Sequence, residues 1–375
     1  MRKKTAIFAS DVEKGVLDQF YSAMEQSFAK RGALMPDAHL GYSLPIGGVV
    51  VTDGVVVPSW VGFDQGCGMA AVKLEASVDE ILPHRNEIFN GIYRSIPTGM
   101  GDENRSKTVK KFDLESRYRS LNENINEKAC YQMGSLGGGN HFIELSYDEE
   151  KNLWVVVHSG SRNIGHQIAS FYMRMAAGQP YEGKKLPKPK EGHYGFEAKS
   201  REGEAFIHDM NKALQFALDN RREIIRRTIK EIAYRLKREP ADMEFINRNH
   251  NHAEEKNGEW IHRKGATHAE KGMAGVIPGN MRDGSFVVEG LGNKESINSS
   301  SHGAGRSVSR NKAKTQTSVE EFQRLMEGIT AKVSRDTLDE NPNAYKDIFK
   351  VMEEQKDMVK VLHHLKPVIN VKGTR

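Results

Sequence analysis

Cysteine is scarce in this sequence of 375 residues, and long apolar runs are missing. The two cysteines, Cys67 and Cys130, do not make a disulfide framework, and so few thiols are typical of proteins from a reducing compartment. No stretch approaches the run of roughly 20 apolar residues that a membrane-spanning helix needs. Residues 1–5 carry basic charge without an apolar segment behind them, so no signal peptide is predicted. We expect a cytoplasmic protein without a membrane partner.

A strong excess of charge of one sign is also missing. The chain has 55 Lys and Arg against 50 Asp and Glu, a formal net charge of +5. This mildly basic balance tolerates a nucleic-acid partner without requiring one, because the clustering of charge matters more than its total. A hydrophobic content of 38% is enough for a core. Since no internal repeat or low-complexity linker divides the sequence, a single domain over residues 1–375 is the simplest interpretation.

Glycine, in contrast, is abundant, and the most informative glycine-rich stretch is residues 61–69. It follows an apolar run at residues 49–57 that predicts a strand hairpin. Asp64 and Cys67 lie three positions apart in it, with glycine on both sides of the thiol. A thiolate and a carboxylate together favour Mn, Zn or Fe over Ca or Mg. Taken alone, the pair is more often a buried structural cysteine in a glycine turn.

Three histidines extend this pattern, because each lies in another loop or extended segment beside a predicted strand. His141 follows a glycine run, His158 ends an apolar strand, and His250 belongs to an extended segment. Together with Asp64 and Cys67 they form five metal-competent side chains. Such a set can hold two cations with Cys67 between them.

Cationic side chains and one further histidine accompany these loops. Arg162, Lys264 and Arg306 supply phosphate-binding charge, although a solvated arginine after a strand is an equally simple explanation of Arg162. His302 has small residues on both sides, which leaves its imidazole accessible as a nucleophile. Metals, cations and a nucleophile in one protein point to phosphoryl or nucleotidyl transfer.

The remaining pattern predicts scaffold. We expect a helix capped by Ser10 and Glu13 that ends at Gly32, a surface loop at residues 35–42, a long helix at 197–238, a capped helix at 318–334, a C-terminal helix at 345–365 and a closing strand at 367–373. The basic residues of the long helix either contact a nucleic-acid backbone or form a solvated face: Arg221, Arg222, Arg226, Arg227 and Lys230.

Several residues are not assigned chemistry. We expect four of the histidines to be solvated loop residues: His39, His252, His262 and His268. His363 and His364 look structural within the C-terminal helix, and Cys130 is predicted to be a core thiol.

Eight short motifs occur between residue 35 and the end of the chain. They are Met35-Pro36-Asp37-x-His39-x-Gly41-Tyr42, Gly62-x-Asp64-x-Gly66-Cys67-Gly68-Met69, Gly137-Gly138-Gly139-Asn140-His141-Phe142-Ile143-Glu144, His158-Ser159-Gly160-Ser161-Arg162, His250-Asn251, Arg263-Lys264-Gly265-Ala266, Ile277-Pro278-Gly279 and Ser301-His302-Gly303-Ala304-Gly305-Arg306. In this order they resemble the RtcB family of RNA ligases. The resemblance implies an α+β fold, a single large domain whose β-sheets carry a central pocket for two metals and GTP, with helices outside.

The resemblance also implies an activity. Members of the family are GTP- and Mn-dependent ligases that join an RNA 3′-phosphate or 2′,3′-cyclic phosphate to a 5′-hydroxyl. A guanylyl-histidine and an RNA-3′-pp-5′-G intermediate are implied, in tRNA splicing or RNA repair. An archease-like activator is a further implied partner, and a monomer is our default expectation.

By motif, the resemblance assigns roles to residues. Two Mn ions would be held by Asp64, Cys67, His141, His158 and His250, and His302 would take GMP. Asn140, Arg162, Lys264 and Arg306 would bind phosphates, and Asp37 matches a functional carboxylate. Positions near the guanine are Phe142, Glu144, Ser285, Tyr345 and Lys372.

Two other functions stay open from the sequence. A metal-dependent 2′,3′-cyclic phosphodiesterase or RNA end-processing enzyme would keep the metals without joining ends. A non-catalytic RNA-binding or repair subunit would tolerate Cys67→Ala with unchanged activity in its complex, and the full set of metal-competent side chains argues against it. Departures from the family pattern, such as Gln65 and Asn280, remove no chemical group but leave the RNA substrate open, including a shorter paralogue that serves RNA repair.

Overall fold

The computed structural model describes residues 3–99 and 101–373, which form an α+β fold. The strands are β1 Lys4–Ile7, β2 Ala29–His39, β3 Ile46–Asp53, β4 Val55–Val56, β5 Gly68–Ser77, β6 Phe142–Tyr147, β7 Asn152–Ser159, β8 Phe196–Glu197, β9 Asp242–Asn249, β10 Asn251–Lys256, β11 Glu259–Lys264, β12 Ala266–His268, β13 Ala274–Pro278, β14 Ser285–Gly290, β15 Ser299–Ser301, β16 Thr330–Ala331 and β17 Val359–Lys372. The helices are α1 Lys14–Glu25, α2 Pro58–Val61, α3 Val78–Ile81, α4 Arg85–Ser95, α5 Arg119–Gln132, α6 Arg162–Ala176, α7 Arg201–Leu236, α8 Arg310–Gln316, α9 Val319–Leu325 and α10 Ile348–Glu354, with short 3₁₀ turns at Leu82–His84, Leu338–Glu340 and Pro342–Ala344. In this part of the chain no helix is long and apolar enough to cross a membrane.

Two sheets dominate the fold. The larger has the order β13-β14-β17-β6-β7-β5-β9, with β16 added beside β17, and the smaller has the order β1-β2-β3-β11-β10. In β7, Val155 and Val157 face one core cluster while Trp154 and Val156 face another. Both faces of this strand are therefore covered, which explains its nearly continuous apolar sequence.

The register of the larger sheet brings distant loops together at the start of β5 and the ends of β7 and β9. Gly68 at the start of β5 lies opposite Ser159 of β7 and Asn249 of β9. A Cβ atom on Gly68 would lie 2.0 Å from the carbonyl oxygen of Arg248, so only glycine allows this close approach. Because Cys67, His158 and His250 are each one position from these paired residues, the pairing places all three near one another.

The long helix α7 packs beside these strand ends, and two of its arginines differ from expectation. Its apolar face is buried as predicted, but Arg221 is also fully buried and Arg227 is largely buried. Arg227 donates to Asn104 Oδ1 at 2.7 Å, and its Nε donates to Glu223. These two arginines are structural and do not form a solvated face. Arg222 and Arg226 do face solvent, where they pair with acidic residues of the same helix.

The predicted C-terminal helix at 345–365 is wrong. Only α10 is helical there, and residues from Val359 onward form the 14-residue strand β17, which includes His363 and His364. Strand β17 pairs with β14 on one side and β6 on the other. Hydrogen bonding to two neighbouring strands overrides the weak helical pattern of this segment. The helix expected at 318–334 likewise ends at Leu325.

The N-terminal predictions also need correction. Helix α1 begins at Lys14 with Glu13 as an N-cap that makes no side-chain bond, and it ends at Glu25. Gly32 belongs to β2, which continues through most of the segment expected to be a surface loop and is largely buried. The predicted hairpin at 49–57 does not form, because β4 pairs with β8 instead of β3.

Candidate metal and nucleotide site

Five donor side chains, named here the donor row, form a continuous line where β5 begins and β7 and β9 end. Nε2 of His141 lies 3.2 Å from Oδ2 of Asp64 and 3.4 Å from Sγ of Cys67. Sγ of Cys67 lies 3.2 Å from Nε2 of His158, which is 3.3 Å from Nε2 of His250. The donor atoms of Cys67, His141 and His158 all lie within 4.8 Å of one another. The structure therefore brings together the five side chains that the sequence suggests as metal ligands.

The environment of His141 explains why this row fits a cation. Its Nδ1 lies 3.0 Å from the carbonyl oxygen of Leu136, so the neutral ring carries its proton on Nδ1 and donates it there. Nε2 then directs a lone pair toward the Asp64 carboxylate and the Cys67 sulfur, which are acceptors when ionised. With both groups ionised, three acceptors converge, and a cation among them would offset their repulsion. Sulfur, imidazole and carboxylate together match a divalent transition metal.

Burial controls the protonation of these donors. It lowers the pKa of His158 and of His250 well below the ordinary imidazole value, so both rings are neutral and able to act as ligands. It also raises the pKa of the Cys67 thiol well above its usual range, and the negative charge of Asp64 acts in the same direction. A cation at the row removes this obstacle, because a coordinated thiol loses its proton.

His302 lies beside the row, in the loop after β15. Its ring centroid is 4.8 Å from that of His250, and its Nδ1 is 2.6 Å from Oδ2 of Asp37. The same Asp37 oxygen accepts the backbone N–H of His302 at 3.2 Å and that of Gly303 at 3.3 Å. Asp37 is fully buried in β2. The carboxylate thus fixes the loop through these two backbone hydrogen bonds and lies in contact with the ring at its Nδ1.

A cavity of about 360 Å³, named here the His302 cavity, opens beside His302 and His158. Its walls come from the ends of β6, β14 and β17 and from the loops around residues 278–284 and 302–306. The predicted nucleotide-binding residues all line it, together with Arg306: Asn140, Phe142, Glu144, Ser285, Tyr345 and Lys372. Side chains separated by more than 200 positions are brought to one chamber by strand pairing.

Glu144 is the buried acid of the His302 cavity. Ser285 Oγ donates to its Oε1 at 3.2 Å, and Asn370 Nδ2 donates to its Oε2 at 3.2 Å. Burial nevertheless raises the pKa of Glu144 to about 8, since two neutral donors do not replace bulk water around a carboxylate.

This shift predicts a pH dependence of stability. In the unfolded chain the Glu144 carboxyl ionises near its ordinary value of 4.5, whereas in the folded protein it holds its proton up to about 8. The wild type should therefore lose stability relative to Glu144→Gln as pH rises between these values, by at most about 1.4 kcal/mol per pH unit. Urea unfolding at several pH values measures the difference. Glu150→Gln, an exposed neighbour, is the control, and a difference that does not change with pH contradicts the shift.

A charged network closes the far end of the His302 cavity. The fully buried Glu340 pairs with Lys372 at 2.8 Å and accepts the Tyr345 hydroxyl. Arg306 and Arg310 also reach Glu340 and line the cavity. Arg310 and Glu340 belong to none of the motifs, and no signal in the sequence distinguishes them from ordinary charged residues.

Two of the predicted phosphate-binding residues lie outside the His302 cavity. Arg162 donates from Nε to Ser135 Oγ at 3.1 Å and lines a second cavity of about 580 Å³ with Asp64 and His141. We name this the Arg162 cavity. Lys264 donates to the carbonyl oxygens of Tyr42 and Ser59, and among the described residues it lines neither cavity. Burial lowers the pKa of Lys264 to about 7.

The four histidines expected to be solvated are placed differently. His252 and His262 are buried, and His262 Nε2 accepts the backbone N–H of Val57 at 2.9 Å. His252 stacks on His268 with centroids 4.6 Å apart, beside the ion pair of Arg263 with Glu254. Cys130 is a buried core thiol, as predicted.

His39 is the fourth of these histidines, and it lines the His302 cavity. Its ring stacks near that of His302 with centroids 6.3 Å apart. Strand β2 carries both His39 and Asp37, so burial of this segment, which we expected to be a surface loop, places two side chains beside His302.

Arg221 supports the donor row. The sequence instead predicts a solvated or nucleic-acid-binding residue at this position. Its guanidinium donates to the carbonyl oxygens of Gly66 at 2.9 Å and Ser159 at 2.8 Å. It also donates to Asn247 Oδ1 at 2.7 Å and Asn249 Oδ1 at 2.6 Å. Gly66, Ser159 and Asn249 directly neighbour Cys67, His158 and His250 in the chain. One side chain thus connects the three backbone segments that carry these donors.

Loss of Arg221 should destabilise the protein strongly. Arg221→Met keeps an unbranched apolar stem but leaves two buried carbonyls and two amide oxygens without donors, at about 1–3 kcal/mol for each unsatisfied group. We expect a loss of at least about 3 kcal/mol in urea unfolding. The exposed neighbour is the matched control, and Arg222→Met should change stability by less than about 0.5 kcal/mol. Equal effects of the two substitutions would contradict the connecting role.

Known proteins resemble this chain over nearly its whole length. The family model described as tRNA-splicing ligase RtcB matches residues 20–121 and 114–373. The RNA-splicing ligase RtcB of Escherichia coli (strain K12) is 35% identical, covering 96% of this chain and 95% of the relative. The tRNA-splicing ligase RtcB of Thermococcus kodakarensis is 28% identical, covering 100% of this chain and 95% of the relative. With this match added to the ordered motifs and the α+β fold, the chain belongs to the RtcB family.

Proposed function

We propose that this protein is a GTP- and Mn-dependent RNA ligase that joins an RNA 3′-phosphate or 2′,3′-cyclic phosphate end to a 5′-hydroxyl end. The observation that carries the proposal is the donor row, which runs from the Arg162 cavity at Asp64 to His302 and its own cavity. The His302 cavity and the Arg162 cavity therefore meet at one set of metal-competent side chains. The names of the relatives, RNA-splicing and tRNA-splicing ligases, support RNA as the substrate.

The donor row would accommodate two Mn ions if both used Cys67 as a ligand. Asp64, Cys67 and His141 would hold one ion, and Cys67, His158 and His250 the other. Bound there, the ions supply positive charge that polarises phosphoryl oxygens and orients the reacting groups.

His302 is the proposed nucleophile toward GTP. The Asp37 carboxylate lies 2.6 Å from its Nδ1, and a proton on Nδ1 would leave the Nε2 lone pair available to attack the α-phosphorus. A bond forms between Nε2 and phosphorus while the bond to the leaving pyrophosphate breaks. The Asp37 carboxylate balances the positive charge that develops on the ring.

Two transfers to RNA follow. An oxygen of the RNA 3′-phosphate attacks the phosphorus on His302, which releases the imidazole and forms the RNA-3′-pp-5′-G intermediate. The 5′-hydroxyl of the second RNA end then attacks the 3′-phosphorus, loses its proton and expels GMP. A 2′,3′-cyclic phosphate is first hydrolysed to the 3′-phosphate.

The walls of the His302 cavity suit GTP. Guanine N–H groups would favour the ionised form of Glu144, which can accept them, with Ser285 beside it, while Phe142 and Tyr345 offer ring surfaces. Lys372 and Asn140 lie on the same wall, joined by a hydrogen bond at 3.2 Å from Lys372 Nζ to the Asn140 carbonyl oxygen. We assign phosphate contacts to Arg306 and Asn140 on the nucleotide side and to Arg162 on the RNA side. Lys264 reaches a phosphate only if it leaves the carbonyls of Tyr42 and Ser59.

Ligation of a nicked RNA stem-loop tests the function. With a 3′-phosphate, a 5′-hydroxyl, GTP and Mn²⁺ we expect a longer RNA, and we expect none when GTP is omitted or when the end is a 3′-hydroxyl. Hydrolysis of a cyclic phosphate without GTP, and with no longer product, would instead support the phosphodiesterase alternative. The same assay with an archease-like activator, and gel filtration of the protein, address the expected partner and the monomeric state.

A further inference from the structure

Phe63 and His166, two rings of an aromatic ladder that begins at Tyr42, line the Arg162 cavity, and the proposed reaction does not yet use them. Phe63 stacks on His166 with ring centroids 5.2 Å apart and an angle of 23° between the planes. Tyr42 packs on Phe63 with centroids 5.1 Å apart. His166 is the last ring of the ladder and is exposed, whereas Phe63 is half-buried. The ladder therefore ends in a ring that borders the cavity and is open to solvent.

This ladder lies next to the residues that we propose to bind phosphate and metal. Phe63 directly precedes Asp64, the first donor of the row. His166 lies four positions after Arg162, at the start of helix α6, and both side chains line the Arg162 cavity. A nucleotide whose phosphate contacts Arg162 thus has its base within reach of the His166 ring.

The charge and the size of the cavity agree with a nucleotide end. Arg162 and Lys128 are its cations, and Asp64 and Glu103 are its carboxylates. Asp64 belongs to the donor row, where a bound divalent cation outweighs its charge. At about 580 Å³, the cavity falls within the range of 300–1,000 Å³ that is typical of small-molecule sites.

We propose that the Tyr42–Phe63–His166 ladder binds the 3′-terminal base of the phosphorylated RNA strand, which stacks on His166 while its 3′-phosphate contacts Arg162. This inference rests on the proposed function and names the residues that select the RNA end. Stacking on a ring recognises any base, because every base has a π-face. The site therefore distinguishes a terminal nucleotide with a base from one without, and it does not read the sequence.

Binding of 3′-phosphorylated RNA oligonucleotides tests the ladder. We would measure dissociation constants by fluorescence anisotropy for two oligonucleotides, one with a normal 3′-terminal nucleotide and one whose terminal nucleotide is abasic. The wild type should bind the abasic RNA about tenfold more weakly. His166→Ala should bind the normal RNA as weakly as the abasic one, and its affinity for the abasic RNA should be unchanged. His166→Phe, which keeps a ring, should restore the preference.

Any of three results would contradict the proposed binding of the terminal base. The wild type could bind both RNAs equally, the preference could survive in His166→Ala, or His166→Phe could behave like His166→Ala. Gln167→Ala, the next residue on α6, is the control and should leave both affinities unchanged.

A separate assay keeps this result distinct from the proposed function. Formation of a covalent GMP adduct from GTP should be the same in wild type, His166→Ala and His166→Phe, because none of these changes touches His302. If no protein forms the adduct, the proposed function fails, and the anisotropy measurement still decides the ladder. If all form it and the base preference is absent, only the ladder fails.

Discussion

Replacement of His302 by alanine should abolish the covalent GMP adduct and all joining of RNA ends. No other imidazole lining the His302 cavity lies in contact with a carboxylate within the described residues, since the Nδ1 of His39 faces the carbonyl oxygen of Asp37 instead. Incubation with GTP labelled at the α-phosphate and Mn²⁺, followed by a denaturing gel, measures the adduct. We expect a loss of at least about 1,000-fold, because no other group supplies the nucleophile.

Two further variants make this result specific to His302. His363→Ala, on the distant part of β17, should form the adduct at the wild-type rate. Asp37→Asn should retain the fold but form the adduct about 100-fold more slowly or worse, because a neutral amide does not balance the imidazole charge. An adduct that persists in His302→Ala would show that His302 is not the nucleophile.

Replacement of Cys67 by serine should remove bound metal and, with it, activity. Cys67 is the centre of the donor row, in contact with both His141 and His158. A hydroxyl of ordinary acidity is a poor bridge for divalent ions compared with a thiolate. We expect metal affinity to fall by at least about 100-fold, since changes to residues behind the ligands alone cost 10- to 100-fold.

Metal content and cobalt spectroscopy measure this loss. After desalting, the wild type should retain Mn²⁺ that Cys67→Ser lacks. Substitution with Co²⁺ should give a thiolate charge-transfer band that disappears in the variant. The chain offers a matched control in Cys130, the other buried cysteine, and Cys130→Ser should keep both the metal and the band. Equal metal content in both variants would show that Cys67 is not a ligand.

The sequence specified much of the local chemistry. Glycine on both sides of Cys67, small residues around His302 and the apolar strand before His158 are local patterns, and they indicate accessible functional groups without knowledge of the fold. Their order along the chain also sufficed to identify the family. The long helix α7 was predicted correctly within a few residues, because a 36-residue amphipathic pattern is a strong signal.

Only the tertiary structure decided how these groups meet. The sheet register brings Gly68, Ser159 and Asn249 together, and no local pattern encodes that pairing. The same long-range pairing turned a predicted C-terminal helix into β17 and buried Asp37 in a strand instead of a surface loop. Burial then converted Arg221 from an expected surface cation into the support of the donor row. Residue types thus set which reactions are chemically available, while pairings between distant segments set which side chains share a cavity, because such pairings depend on the whole chain at once.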